Sequence, residues 1–320
     1  MKSQKKRWIG LVGMAAVGAL FLTACAGPAG DGDTAPKTER LKVALITHAA
    51  PGDTFWDAVR AGAENAAELN NIELLYTSDP DGARQAQLVQ QAVDKGVDGI
   101  VVTLAKADAM SGNVKKATEA GIPVFSINAG ESDFKDMGVL AHFGQNEFIA
   151  GQAAAEQFND AGLKKVVCVI QEQGHVGLEA RCDGLADKLE GSSEVLYVQG
   201  TDMPNVASTI TAKLQTNKDI DAVLTLGAPF AMTAVDAIKD AGSDAVLATA
   251  DLNADVYAAI KDGTILFGID QQPFVQGYEA VEAVRLFYEG GYVLGGGQAV
   301  LTGPAVVNAA NAESVAAQFK

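Results

Sequence analysis

The chain has little positive charge and few histidines. Its 320 residues include 24 Lys and Arg against 40 Asp and Glu, which gives a formal net charge of −16 at pH 7. Because proteins hold nucleic-acid phosphates through cationic side chains, this balance argues against a nucleic-acid partner, and it favours solubility. Only three histidines are present, His48, His142 and His175, so catalysis that depends on histidine has few candidates.

The chain also lacks the motifs of nucleotide-dependent enzymes and hydrolases. The segment after its first apolar run reads His48-Ala-Ala-Pro-Gly-Asp-Thr-Phe-Trp56, which contains neither a GxGxxG pattern nor a P-loop. We find no nucleophile elbow, no Ser-His-Asp arrangement and no cluster with metal-ligand spacing. A calcium loop needs carboxylates at alternating positions, and Asp79-Pro-Asp-Gly82 ends too early. We therefore expect a protein that is not an enzyme and that uses neither cofactor nor metal.

The N-terminal segment has the pattern of an export signal. Four cations in the first seven residues precede an apolar run from Trp8 to Leu22, which is too short to span a bilayer comfortably. Leu22-Thr-Ala-Cys25 then resembles a bacterial lipobox, in which the cysteine takes a lipid. We predict a lipoprotein signal peptide at 1–24, lipidation of Cys25, and a flexible tether at 25–40 with little to bury. The mature chain would be anchored at the outer face of the cell membrane. The alternative is an ordinary signal peptide with an incidental cysteine.

From Leu41 onward, short apolar runs alternate with amphipathic helical segments such as Phe55–Asn70 and Ala83–Lys95. Runs that are apolar throughout, such as Gly99–Leu104, are typical of parallel strands buried on both faces. The alternation predicts an α/β fold, and ten strands are better divided between two doubly wound parallel sheets, with the border near Gln145. The predicted strands are Leu41–Thr47, Ile72–Thr77, Gly99–Leu104, Ile122–Asn128, Val139–Gly144, Lys165–Gln171, Glu194–Gln199, Ala222–Leu226, Ala245–Asp251 and Ile265–Asp270.

Polar residues end most of the predicted strands. In open α/β sheets, ligands bind beyond the carboxyl ends of the strands, so these residues are candidates for a binding site. Amides and carboxylates suit the hydroxyl groups of a sugar better than they suit a phosphate. The residues at the strand ends are His48, Asn128, Gln171, Gly227, Asp251, Asp270 and Gln271.

Several segments, in order and spacing, resemble the type I periplasmic binding proteins of the ribose-binding, sugar-transport class. The resemblance runs from about Leu41 to the C-terminus, and it implies two lobes joined by a three-stranded hinge that closes around the ligand. The implied N-terminal lobe comprises residues 41–145 and 272–301, and the C-terminal lobe residues 146–271 and 302–320. The segments are Lys42–Thr47, Asp53–Trp56, Gly96–Val102, Gly121–Val124, Gln145–Gly151 and Gln271-Gln-Pro273.

The resemblance also implies a set of ligand-binding residues. Aromatic residues after the first strand would lie against the sugar ring, because apolar C–H faces pack well on a π system. Trp56 could instead be a core residue, and Asp251 could instead cap a helix. The predicted ligand-binding residues are His48, Asp53, Phe55, Trp56, Asn128, Asn146, Glu179, Arg181, Gly227, Asp251 and Gln271.

Two departures from the family pattern bear on the identity of the ligand. The family's Asp-Arg pair after the fourth strand corresponds to Asn128-Ala129, and its arginine near the start of a second-lobe helix corresponds to Glu179, with Arg181 two residues on. Two guanidinium positions would be lost, and a carboxylate only accepts hydrogen bonds from hydroxyl groups. We therefore expect a ligand richer in donors than ribose, such as a short polyol or an unusual pentose.

The sequence leaves two local questions open. His175 lies between a strand and a helix, where it could donate to the ligand or cover the rim of the cleft, and the rim is favoured. Cys182 lies on the apolar face of its helix and should point at the sheet that contains Cys168. The two cysteines could form a disulfide or remain separate buried thiols, because sequence spacing does not establish their Cα separation.

These features predict an extracytoplasmic solute-binding lipoprotein. It would capture a small neutral sugar or sugar alcohol as a monomer and deliver it to the permease of an ABC importer. A receptor that feeds a sensor or chemoreceptor and a binder of quorum signals are alternatives with the same fold. A sugar-responsive transcription factor also shares this module, but it needs a DNA-binding segment where this chain has an export signal.

Overall fold

The part of the chain from Arg40 to Phe319 forms two α/β lobes, as described by a computed structural model. The predicted signal peptide, the lipidation site Cys25 and nearly all of the tether lie outside the described residues. Among residues 40–319, none of the helices has both the length and the apolar character that crossing a membrane requires.

The first lobe is built on a six-stranded sheet with the order β11-β5-β4-β3-β1-β2. Its neighbouring strands are all parallel, and helices cover both faces. Its elements are β1 (Lys42–Thr47), α1 (Phe55–Leu69), β2 (Glu73–Ser78), α2 (Gly82–Asp94), β3 (Gly99–Thr103), α3 (Ala107–Glu119), β4 (Val124–Ile127), β5 (His142–Gln145), α9 (Pro273–Gly290) and β11 (Ala299–Gly303).

The second lobe repeats this plan with the order β12-β10-β9-β8-β6-β7. Here the edge strand β12 runs antiparallel to β10, and the other neighbours are parallel. Its elements are α4 (Glu147–Asp160), β6 (Lys165–Ile170), α5 (Val176–Lys188), β7 (Ser192–Tyr197), α6 (Met203–Thr216), β8 (Ala222–Thr225), α7 (Ala228–Asp240), β9 (Val246–Ala250), α8 (Ala254–Asp262), β10 (Phe267–Asp270) and β12 (Ala305–Asn308). Short 3-10 helices lie at Lys135–Met137, Leu294–Gly297 and Ala312–Phe319.

The predicted fold class of two doubly wound lobes is confirmed, and the local differences are small; for example, β7 covers Ser192–Tyr197 instead of Glu194–Gln199. β11 and β12 were not predicted as strands, because both are short and lie at sheet edges, where one side of the strand needs no partner. β5 begins at His142 instead of Val139. β11 continues to Gly303, so the third connection between the sheets falls at 303–305, slightly later than the expected 301–302.

Each sheet is buried on both faces by aliphatic and aromatic side chains. Two hydrophobic clusters flank each sheet, and strand β3 is buried along its whole length. The helices that begin after the first two connections, α4 and α9, pack closely against α5 and α1 through glycines. A Cβ atom at Gly277 would lie 1.9 Å from a backbone oxygen of α1, and one at Gly184 would lie 2.0 Å from a backbone oxygen of α4. The absence of side chains at these positions sets how closely the helices approach.

A disulfide joins β6 to α5 in the second lobe. Cys168 and Cys182 are bonded, with a Cα separation of 5.9 Å. Both residues are buried in the same hydrophobic cluster as Leu178 and Leu185, so the apolar face of α5 meets the sheet as its periodicity predicted. Of the two alternatives that the sequence left open, the structure has the disulfide.

Candidate ligand-binding cleft

A cavity of about 780 Å³ lies where the carboxyl ends of strands from both lobes face each other. This is the position at which open α/β sheets bind ligands. Eight of the eleven residues predicted to bind ligand line it: His48, Asp53, Phe55, Trp56, Asn128, Arg181, Asp251 and Gln271.

Asn128 and Asp251 occupy equivalent places in the two lobes. Each follows the strand that is third in its sheet, β4 or β9, and each has a left-handed backbone, with φ of 65° and 63°. Non-glycine residues rarely adopt this conformation, and it is concentrated at functional sites. Asp251 does not cap α8, because the side chain of Asn253 accepts the hydrogen bond from Val256 N. The capping alternative for Asp251 is therefore wrong.

Gln271 connects these two strand ends through its side-chain amide. Asn128 Nδ2 donates to Gln271 Oε1 at 3.1 Å, and Gln271 Nε2 donates to Asp251 Oδ1 at 2.7 Å. Gln276 Nε2 also donates to Gln271 Oε1, which fixes the orientation of the amide. Gln271 lies in the connection between β10 and α9, so one buried side chain links a strand end of each lobe at the crossing point.

Burial disfavours the charged form of the Asp251 carboxylate. Loss of water around it raises its pKa to about 7, although Arg181 and the amide of Gln271 favour the charged form. The nearby carboxylates of Asp53 and Glu147 raise the pKa further. A ligand that donates hydroxyl hydrogen bonds to Asp251 would stabilise the charged form, because hydrogen bonds to a carboxylate offset its lost hydration.

Arg181 brings a guanidinium group into the cavity. It forms a buried ion pair with Glu147, with Nη2 and Nε at 2.6 and 2.8 Å from Glu147 Oε2, and Gln145 Nε2 donates to the same oxygen. Arg181 Nη1 is buried and has no partner among the described residues. One of the two guanidinium groups that the sequence comparison counted as lost is therefore present, supplied from two residues further along α5.

Aromatic side chains line the cavity from both lobes. Phe55 and Trp56, at the start of α1, contact each other edge to face with ring centroids 4.9 Å apart, and Phe230 and Tyr197 line the second-lobe side. Trp56 also belongs to the core cluster of the first lobe. The two roles weighed for Trp56 are thus compatible, since the side chain belongs to the core cluster and also lines the cavity.

Asp53 is fixed at the entrance to α1. Its Oδ1 accepts a hydrogen bond from Phe55 N at 3.1 Å. Burial raises the pKa of Asp53, against the opposing effect of hydrogen bonds from Phe55 N and from the side chain of Trp56. The carboxylate is therefore ordered and partly desolvated before a ligand arrives.

Three predicted ligand residues lie outside the cavity lining. Asn146 caps α4 and donates to Glu131, so the next residue, Glu147, faces the cavity instead. Glu179 does not line the cavity, and its carboxylate accepts hydrogen bonds from the hydroxyl of Tyr197. Gly227 does not line the cavity, and a Cβ atom there would lie 2.9 Å from Phe230. Its lack of a side chain gives space to that ring.

Several cavity residues escaped the sequence prediction. Phe230 and Tyr197 carried no family motif, and Glu147 was passed over for its neighbour Asn146. Gln171 was recognised only as a strand end. His175, which was favoured as a rim residue, is buried, caps α5 and contacts a histidine of the other lobe. The only signal in the sequence for this place was the position of His175 directly before α5, where a cap residue stands.

Contacts between the lobes line one side of the cleft. His175 Nε2 lies 3.1 Å from His48 Nε2, Lys106 Nζ donates to Gln173 O at 2.6 Å, and Val176 N donates to Ala105 O at 3.1 Å. Lys106 Nζ also lies 3.2 Å from a carboxylate oxygen of Glu172. The lobes are therefore in direct contact, as in a closed clamshell.

One cluster in the described residues has the ligand types of a metal site. His48, Glu172 and His175 place donor atoms within 4.8 Å of one another. However, His175 Nδ1 accepts hydrogen bonds from two backbone N–H groups, so its ring proton must be on Nε2, the atom that would have to bind the metal. With Lys106 beside Glu172, the cluster fits a hydrogen-bonded contact better than a cation site.

Residues 43–291 match the family described as "Periplasmic binding protein domain". The chain belongs to this family. A curated relative, the ribose import binding protein RbsB of Bacillus subtilis, is 26% identical over 82% of this chain and 88% of its own length. The fructose import binding protein FruE of Bifidobacterium longum is 27% identical over 91% of both chains. Proteins of this family are substrate-binding proteins, and the predicted resemblance is confirmed.

A solved structure is considerably more similar. The carbohydrate transporter protein from Acidothermus cellulolyticus, crystallised in complex with myo-inositol, is 48% identical to this chain. The match covers 87% of this chain and 98% of that one, with a TM-score of 0.86.

Proposed function

We propose that this periplasmic binding protein captures a neutral ring polyol of the myo-inositol type between its lobes and delivers it to an ABC importer. The observation that carries the proposal is the composition of the cavity wall. Arg181 Nη1 and Gln171 Oε1 are buried without partners among the described residues, and the buried carboxylate of Asp251 accepts from Gln271 Nε2 at only one of its two oxygens. Hydroxyl groups, which donate and accept, satisfy all three.

The aromatic residues on both sides of the cavity support a ring as the ligand. A cyclitol has apolar C–H faces and hydroxyl groups around its edge, so its faces can pack on Trp56 and Phe230 while its edge meets the strand ends. The myo-inositol in the structure of the 48% identical protein supports the same class. An acyclic polyol or a pentose remains the expectation from the sequence alone, and the experiment below separates these ligands.

Closure explains how such a ligand is held tightly. Lobes that close about connections at 145–147, 270–273 and 303–305 would bury the ligand's hydroxyl groups, and hydrogen bonds to charged partners contribute about 1.5–3 kcal/mol each. The acidic wall, with Asp53, Glu147, Glu172 and Asp251, would reject sugar acids, because it would bring like charges together in a desolvated space.

Calorimetric titration tests the ligand class directly. We expect myo-inositol to bind at pH 7.5 more tightly than xylitol or D-ribose, and D-glucuronate not to bind. Asp251→Asn should weaken binding about tenfold to a hundredfold. Asp219→Asn, an exposed carboxylate that pairs with Lys165, is the matched control and should bind as the wild type does. Tight ribose binding without a response to myo-inositol would contradict the proposal.

We also propose that Cys25 carries a lipid that keeps the protein beside its permease. The support is the order of cations, apolar run and cysteine in the first 25 residues. Growth with a labelled fatty acid should label the wild type, whereas Cys25→Ser should release unlabelled protein from the membrane fraction. Equal labelling of both proteins would show that Cys25 is not the anchor.

A further inference from the structure

Two histidine rings from opposite lobes meet beside the cavity. His48 follows β1 of the first lobe and His175 precedes α5 of the second, and both are only 6% exposed. Their Nε2 atoms are 3.1 Å apart, and their ring planes are nearly perpendicular, at 73°. At this distance one Nε2 must carry a proton and the other must not.

The surrounding hydrogen bonds decide which ring donates. His175 Nδ1 accepts from Gly177 N at 3.1 Å and from Leu178 N at 3.3 Å, as the cap of α5. A neutral His175 therefore carries its proton on Nε2 and donates it to His48 Nε2. His48 must then carry its own proton on Nδ1, which donates to Thr103 Oγ1 at 2.8 Å. Among arrangements of two neutral rings, only this one satisfies both the contacts of His175 at the start of α5 and the contact between the two rings.

Neither ring can gain a proton without breaking this arrangement. A proton on His175 Nδ1 would face the backbone N–H groups at the start of α5, and a proton on His48 Nε2 would face the N–H of His175. Burial lowers the pKa of His48 to about 3, with help from Lys106. Burial also lowers the pKa of His175 well below its usual value, followed by the effects of His48, Arg181 and Lys106.

The charged groups around the pair do not compensate for a proton. On the first-lobe side the neighbouring charge is Lys106, before α3. On the second-lobe side Arg181 pairs with Glu147, and Glu172, which has a carboxylate oxygen within 4.8 Å of a ring nitrogen of each histidine, pairs with Lys106. Glu147 and Glu172 therefore already have cationic partners, and the two cations oppose a third positive charge. The remaining carboxylate nearby is Asp53, whose charge raises the pKa of Glu172.

We propose that His48 and His175 form a latch that holds the lobes closed only while both rings are neutral, so that ligand is released in acid. The inference rests on the proposed closure around a polyol. When the lobes part, both rings meet water and regain an ordinary pKa near 6.5. The affinity of the protein for its ligand would then fall about tenfold per histidine for each pH unit below that value, because closing the lobes requires both rings to lose their protons. Between pH 7.5 and pH 5.5 the expected loss of affinity from the two rings is about a hundredfold.

Titration calorimetry with myo-inositol at pH 7.5 and pH 5.5 tests the latch. His175→Asn keeps a side-chain acceptor for the start of α5 but cannot reach His48. It should bind about two- to tenfold more weakly at pH 7.5, and the effect of acid on its affinity should be about tenfold smaller than in the wild type. Protonation of Asp251, whose pKa is about 7, adds the same loss of affinity in acid to both proteins. The double variant His48→Asn/His175→Asn should show no dependence on pH from this source.

His142 supplies the matched control. It is buried within the first lobe, where its Nδ1 lies 3.0 Å from Ser126 Oγ, and it does not line the cavity. His142→Gln should therefore keep the wild-type dependence of affinity on pH. If the pair had only a structural role, the double variant would lose affinity by the same factor at both pH values and would keep the wild-type dependence on pH. That result, or a wild-type affinity that does not change between pH 7.5 and pH 5.5, would overturn the latch.

Ring-nitrogen magnetic resonance gives a readout that needs no ligand. The chain has only three histidines, so the spectrum of ¹⁵N-histidine protein can be assigned by substitution. In any closed form, His175 should be protonated at Nε2 and His48 at Nδ1. In acid, the signals of these two tautomers should disappear, and X-ray scattering should show a larger radius of gyration because the lobes open. A compact form with both rings protonated overturns the inference even if myo-inositol does not bind. Failure of the whole polyol panel at pH 7.5, by contrast, counts only against the proposed function.

Discussion

Replacing Arg181 by methionine should separate the structural and ligand-binding roles of one side chain. Arg181 and Glu147 form an ion pair with side chains only 4% and 9% exposed. Removing the guanidinium leaves Glu147 buried with Gln145 as its remaining donor, and breaking a buried pair typically costs about 3–5 kcal/mol. The loss should be at the lower end, because the pKa of Glu147, already raised by burial, would rise further and let the acid become neutral.

The same substitution also removes Nη1, the buried donor that the proposed ligand satisfies. A hydrogen bond from a charged donor contributes about 1.5–3 kcal/mol, so binding of myo-inositol should weaken by about tenfold to a hundredfold. Urea denaturation measures the first effect and calorimetry the second. Arg181→Met/Glu147→Gln then distinguishes them, because removing both charges should restore most of the stability and none of the affinity.

Arg285 on α9 provides the control arginine. It pairs with Glu282 and Glu289 at the surface, away from the cavity, so Arg285→Met should change the free energy of unfolding by at most about 1 kcal/mol. If Arg181→Met unfolded at the same urea concentration as Arg285→Met, breaking the buried Arg181–Glu147 pair would not cost the free energy of unfolding that we expect. If the double variant regained wild-type affinity, Arg181 would not be a ligand contact.

Three further changes test other parts of the structure. Asp251→Asn should raise the melting temperature of the empty protein at pH 7.5. The pKa of Asp251 is about 7 in the folded protein and near 4 in the unfolded chain, so above pH 4 the acid destabilises the folded state. The gain in melting temperature should vanish below pH 4, and a gain that did not depend on pH would contradict this origin. Cys168→Ser/Cys182→Ser should lower the free energy of unfolding by about 3 kcal/mol, measured with urea, since the bond closes a loop of 14 residues. Gly184→Ala should lower the melting temperature because its Cβ would lie 2.0 Å from a backbone oxygen of α4, whereas Gly112→Ala on α3, which meets nothing within 4 Å, should raise it slightly; equal effects would refute the packing argument.

Much of the architecture could be predicted because it depends on local pattern. Apolar runs flanked by amphipathic helices require parallel sheets covered on both faces, and polar residues at the carboxyl ends of those strands must then face a common cleft. His48, Asn128, Asp251 and Gln271 were found in this way. The edge strands β11 and β12 were missed, because a short strand with one partner has little periodicity to reveal it.

The pattern of residues along the chain is enough to predict the two-lobe α/β fold, the polar strand ends and the apolar face of α5. Which residues of distant segments meet depends on the folded arrangement of the lobes. Glu179 and Arg181 are two positions apart, yet a helix turns about 100° per residue, so Glu179 pairs with the hydroxyl of Tyr197 outside the cavity lining whereas Arg181 lines the cavity. The contact between His48 and His175, 127 residues apart, likewise exists because two lobes close on each other, and no pattern along the chain encodes that distance.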